Sequence, residues 1–116
     1  MKYQELERKV LQWAEDKGIM SKATPLRQAH KTLEEVEELI EASEAHENDY
    51  KFFTNSKGKK VNTQEELKDA FGDILVTIII GAEMQGFKLE HCLESAYNII
   101  SKRTGRMENG QFVKNE

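Results

Sequence analysis

The segment Ile74-Leu75-Val76-Thr77-Ile78-Ile79-Ile80 constrains the fold most, because a stretch this apolar must be enclosed on nearly every side. Its β-branched residues taken alone suit a buried strand. However, Leu67, Ala70, Phe71, Ile74, Leu75 and Ile78 continue one stripe at spacings of three and four, which is the helical period. Upstream, Thr63-Gln64-Glu65-Glu66 has the form of a capping box, in which threonine accepts from the first amides and a glutamate three residues later reaches back. A helix starting at Thr63 is therefore expected, weakened by about 1 kcal/mol at each of Gly72 and Gly81 relative to alanine. Three other short helices hardly enclose such an element within a monomer. Homo-oligomerisation, as a dimer or a tetramer, is the consequence.

The remaining periodicity supplies those helices. Tyr3, Leu6, Val10, Leu11 and Ala14 recur at intervals of three and four, and Lys17-Gly18 closes the helix. A second helix starts at Thr24-Pro25, a capping residue followed by the residue best tolerated in a first turn, and runs through Leu26, Ala29, Leu33, Val36 and Ile40. Between about Ser43 and Asn62 the composition is that of a solvated connection. A fourth helix spans about Leu89 to Lys102, and Asn109-Gly110 is the strongest short-range hairpin signal. The fold class expected is all-α: a four-helix bundle completed by homo-oligomerisation, with a short C-terminal β-hairpin, forming one domain over residues 1–116.

Composition excludes several functions. A net charge of −4 is not that of a domain binding a nucleic-acid polymer through a basic face. The longest apolar run, Ile74 to Ala82, falls far short of the roughly 20 residues that span a bilayer, so no membrane role is expected. The lone Cys92 and an N-terminus without an apolar signal core point to the reducing cytoplasm.

Carboxylates carry the chemistry. Glu34, Glu35 and Glu38 crowd one side of the second helix, and Asp69 and Asp73, four apart, share a face of the third. Such groups repel one another unless a cation lies among them. Two acidic helices packed together offer oxygen ligands to magnesium, or to manganese, and the scatter of His30, His46 and His91 argues against structural zinc. A bound ion would neutralise a polyphosphate and activate water for in-line displacement at phosphorus. The plainer alternative is that Glu34, Glu37, Glu41 and Glu44 form a solvated face paired with Lys31. It fits Asp73 less well, because a charge abutting the most apolar segment needs a partner.

The string from Gln28 to Leu39, Gly72-Asp73-Ile74-Leu75-Val76, and later Asn98, Lys102 and Arg106 together resemble the MazG-type all-α nucleotide pyrophosphohydrolases. That resemblance covers nearly the whole chain, including Trp13 in the first helix. It implies an oligomeric helical bundle that uses magnesium to hydrolyse nucleoside or deoxynucleoside triphosphates to the monophosphate and pyrophosphate, in nucleotide-pool control. The family's Glu-x-x-Glu motif falls on Glu35 and Glu38, with Glu34 matching an extra upstream glutamate. Its Glu-x-x-Asp motif falls on Ala70 and Asp73, so one expected carboxylate is missing. Asp69 takes its place only if the helix is rotated, since adjacent residues differ by roughly 100° in bearing. The expected working site is Glu34, Glu35, Glu38 and Asp73, with Asp69 as a further ligand and Glu34 orienting or deprotonating the attacking water.

Basic residues would handle the phosphates: Asn98, Lys102 and Arg106 by the resemblance, with Arg103 beside them, and Lys31 from the acidic helix. Charge at a helix C-terminus and a Lys31 ion pair with Glu34 or Glu35 are the duller readings. Trp13 would stack on a base, its duller reading being core packing. Two alternatives stand beside the enzyme. One is a catalytically weakened nucleotide- or metal-binding helical oligomer with a regulatory role, motivated by Ala70. The other is a coiled-coil adaptor without ligand.

Overall fold

The computed structural model describes residues 1–115. Helix α1 (Tyr3–Asp16) leads through Gly18, held at a φ of +78° that favours glycine, into a single-turn helix α2 (Ile19–Lys22). Helix α3 (Pro25–Glu47) starts as its sequence dictates: Thr24 Oγ1 accepts from the Arg27 amide at 3.2 Å, with Pro25 in the first turn. Two short antiparallel strands follow, β1 (Phe52–Thr54) and β2 (Lys60–Asn62). They lead directly into α4 (Thr63–Met84), the long apolar helix expected from its stripe. Beyond it lie α5 (Leu89–Ile100) and a hairpin of β3 (Gly105–Glu108) and β4 (Gln111–Lys114). The hairpin turns on Asn109 and Gly110, both at positive φ (50° and 79°), which explains the asparagine–glycine pair.

The chain is therefore mostly helical with a C-terminal two-stranded hairpin, as expected, but four details differ. Five helices are present among the described residues rather than four, because α2 is a single turn without readable periodicity. The stretch 43–62 is no simple loop: α3 continues to Glu47, and the remainder forms the β1–β2 hairpin. The cap of α4 is Asn62, whose Oδ1 accepts from the Glu65 amide at 3.0 Å. Thr63 sits inside the helix, buried, with its hydroxyl donating to the Tyr50 carbonyl at 2.6 Å. The last helix ends at Ile100, so Lys102 lies in the turn beyond it and Arg106 on β3.

The chain divides into two compact units, Met1–Gly86 and the residues from Phe87 onward. In the first, α3 and α4 pack along their lengths, and the core is built largely from small residues: Ala14, Ala42, Ala45 and Ala70 with Ile79 and Ile80. Small side chains permit close helix approach. A polar clasp fixes the register of the pair. Thr32 Oγ1 donates to Thr77 Oγ1 at 2.8 Å, Thr77 donates to the Ile74 carbonyl at 2.7 Å, and Gln28 Nε2 donates to the Thr77 carbonyl at 3.4 Å. No single helix among the described residues is long and apolar enough to cross a membrane.

Candidate active site

The threonine clasp lies one helical turn from Glu35 on α3 and from Asp73 on α4. It thereby sets where the carboxylates meet. One oxygen from each of Glu35, Glu38 and Asp73 can be chosen so that all three lie within 4.8 Å of one another. The Glu35 side chain is only 12% exposed, and its Oε2 is fully buried with no hydrogen-bond partner. A buried, unsatisfied carboxylate oxygen is costly. An all-oxygen donor set with one such orphaned atom fits a hard divalent cation.

The electrostatics agree. Burial, followed by the adjacent Glu38 carboxyl and then the charge of Asp73, raises the Glu35 carboxyl above its usual range, with Lys31 opposing. Asp73, although exposed, is raised by partial desolvation on the side facing α3, then by Asp69 and Glu38. Glu66, seven residues before Asp73 and on the same helical face, is raised by burial, Asp69, Glu38 and Asp73, with Lys59 opposing. Read from sequence, Glu66 belongs to an apparent capping box, which accounts for it without a role in the site. Its i, i+7 relation to Asp73 was the signal that points to it.

Not every expected carboxylate joins the cluster. Glu34 turns to solvent and pairs with Lys31 at 3.0 Å, while Lys31 reaches Glu35 at 3.6 Å. Lys31 is held more firmly protonated as a result, chiefly through Glu34. Asp69 is exposed and outside the three, although its charge is felt by Asp73 and Glu66. Ala70 is buried.

A cavity of about 490 Å³ opens beside the carboxylates. Trp13, Ile19, Ala23, Val76, Thr77 and Ile80 supply most of its apolar wall, with Arg27, Gln28 and Lys31 polar and Glu35 and Asp73 at its acidic end. The sequence-predicted Trp13 and Lys31 thus share one space with two members of the triad. Asn98, Lys102 and Arg106 belong to the second unit, where Arg106 Nε pairs with Glu108 at 2.7 Å.

On the other side of Glu38 lies a polar recess of about 10 Å³, lined by Glu38, Glu41, Glu66 and the turn of the β1–β2 hairpin. Lys57 of that turn pairs with Glu38 at 3.3 Å, and Glu41 accepts from the Ser56 amide at 2.7 Å.

Comparison with known proteins adds one finding. A family model described as the MazG nucleotide pyrophosphohydrolase domain matches residues 23–109. No curated protein and no solved structure matches the chain.

Proposed function

The chain belongs to the MazG nucleotide pyrophosphohydrolase family, and from that premise we propose that it hydrolyses nucleoside or deoxynucleoside triphosphates to the monophosphate and pyrophosphate with magnesium, or manganese. The observation that carries the reading is the meeting of Glu35, Glu38 and Asp73, with an orphaned buried oxygen, at the end of a nucleotide-sized cavity. Those three residues would hold the metal. The chemistry it supplies when bound is neutralisation of the polyphosphate and activation of water.

The rest falls to the chain's own side chains. Trp13 offers a half-exposed aromatic face to a base within the cavity, and the apolar wall excludes water around it. Lys31, braced by Glu34, presents its ammonium beside the acidic end, where a phosphate would neutralise it. Asn98, Lys102 and Arg106 remain proposed phosphate contacts by family resemblance. The functional domain is taken as residues 1–116.

We assign the working state to a homo-oligomer. Leu26, Leu33 and Ile40 lie seven apart on α3, and Phe71, Leu75 and Ile78 follow at helical spacing on α4; all six are exposed. Apolar stripes of this kind mark a surface built to be covered.

The test is pyrophosphate release from a panel of nucleoside and deoxynucleoside triphosphates, with and without magnesium, for the native chain and Glu38→Gln. Magnesium-dependent release lost in the variant is the expected result. Well-folded protein that binds magnesium yet turns over nothing would favour a second reading, a weakened nucleotide- or metal-binding oligomer. Ala70, buried where the family motif has a carboxylate, is what favours it.

A further inference from the structure

We propose that Lys57, in the turn of the β1–β2 hairpin, binds the pyrophosphate end of the substrate and the pyrophosphate product. The proposal rests on the hydrolase reading and gives the site a direction. Along α3, Arg27, Lys31 and Glu35 face the large apolar cavity, whereas Glu38 and Glu41 face the polar recess under the hairpin. The carboxylate cluster lies between them. With the nucleoside in the apolar cavity, the phosphate chain passes over the carboxylates and its free end arrives at the hairpin.

Lys57 is built for that place. Its ammonium lies 3.3 Å from Glu38 Oε1, one of the three clustered carboxylates, yet its side chain is 78% exposed. It therefore acts as the counterion of Glu38 while no divalent cation is bound. With Glu38 engaged by a divalent cation, the Lys57 ammonium would lose its partner and be free to meet the negative charge of the pyrophosphate end. Lysine serves such sites as a mobile point charge.

The turn backbone stays fixed while the side chain redirects. Asn55 Oδ1 accepts from the Lys57 and Lys59 amides at 3.0 Å each, the Ser56 amide is tied to Glu41, and Gly58 adopts the positive φ of +79° that closes the turn. At about 10 Å³ the recess itself is too small for a phosphate. The group held by Lys57 lies at its mouth.

The test compares the native full-length chain with Lys57→Ala and Lys57→Arg. In the presence of magnesium, binding of inorganic pyrophosphate and of a nucleoside monophosphate is measured by calorimetry and by product inhibition. Magnesium binding alone is titrated separately. Lys57→Ala is expected to weaken pyrophosphate about tenfold, to leave the monophosphate within about twofold, and to bind magnesium as tightly as the native chain or more tightly. Lys57→Arg is expected to restore pyrophosphate binding. Unchanged pyrophosphate binding, or equal loss of both products, would overturn the proposal and leave Lys57 as a counterion alone. A native chain that binds pyrophosphate through Lys57 but hydrolyses no triphosphate would uphold the pyrophosphate contact and sink the hydrolase reading, and with it the assignment of that contact to a product.

Discussion

The two units of the chain use similar amphipathic material to opposite ends. In the first, α3 and α4 bury alanines and isoleucines against each other and lock their register through Thr32 and Thr77. In the second, α5 is at least as strongly amphipathic, but among the described residues of α5, β3 and β4 none is buried, and Leu93, Tyr97, Ile99 and Ile100 are all exposed. Amphipathicity alone does not make a core. A core also needs an opposing surface close enough to exclude water, and in the first unit small residues on both helices provide it.

The most decisive way to break this contrast is to shorten one side chain in each unit. Ile80→Ala, at a site 1% exposed, is expected to cost about 2–5 kcal/mol in denaturant unfolding. Leu93→Ala on α5 should cost less than about 0.5 kcal/mol in dilute protein. A comparable loss at Leu93 would mean that a second copy covers α5, and the loss would then depend on protein concentration.

Thr77→Val sharpens the first half of the comparison. It removes the hydroxyl that both accepts from Thr32 and donates to Ile74, and it is expected to cost about 1–3 kcal/mol. Because the clasp positions Glu35 against Asp73, magnesium affinity should fall with it. Stability loss with unchanged magnesium affinity would separate the clasp from the site.

The acidic cluster works against the unit that contains it. Glu35 and Asp73 have carboxyls raised above their usual 4.5 and 3.8 in the folded chain. The folded state therefore holds more protons than the unfolded one across the window that starts at those values and runs upward to the raised ones. Stability falls as pH rises through it. Glu35→Gln, measured without metal, should match the native chain at acidic pH and melt progressively higher than it as pH rises to neutrality. Magnesium should narrow the gap by stabilising only the native chain. A gap independent of pH would remove the repulsion from the account.

The smallest effect belongs to Gly72. A Cβ there meets nothing within 4 Å and the backbone is helical, so Gly72→Ala should raise stability by no more than about 1 kcal/mol. That gain is expected in dilute protein, and a loss that grows with protein concentration would place Gly72 inside the face that a second copy covers.

Much of this organisation was legible in the residues. Thr24-Pro25 marked the start of α3, the stripe from Leu67 onward correctly outweighed the β-branching of Ile74 to Ile80, and Asn109-Gly110 marked the last turn. Spacing and resemblance point to Glu35, Glu38 and Asp73, and the fold brings these three together. What escaped depended on long-range placement. Spacing alone puts Glu34 beside Glu38, but Glu34 faces solvent and pairs with Lys31. The β1–β2 hairpin is too short for alternation to show, so Lys57 looked like a lysine in a solvated loop. Asn62 and Thr63 are both good caps, and only the burial of Thr63 beneath the Tyr50 carbonyl decides between them.

Two stretches of chain enclose the large cavity. Its acidic end comes from within residues 23–109, the span that the family model matches, whereas Trp13 on α1 and Ile19 on α2 lie before that span. The cavity's carboxylates and its aromatic wall residue, Trp13, thus come from separate stretches of chain, while Ala23, Val76, Thr77 and Ile80 of the wall share the stretch that carries the carboxylates. Exchanging the first twenty-two residues for those of another family member would remodel what the cavity admits while leaving all three clustered carboxylates untouched.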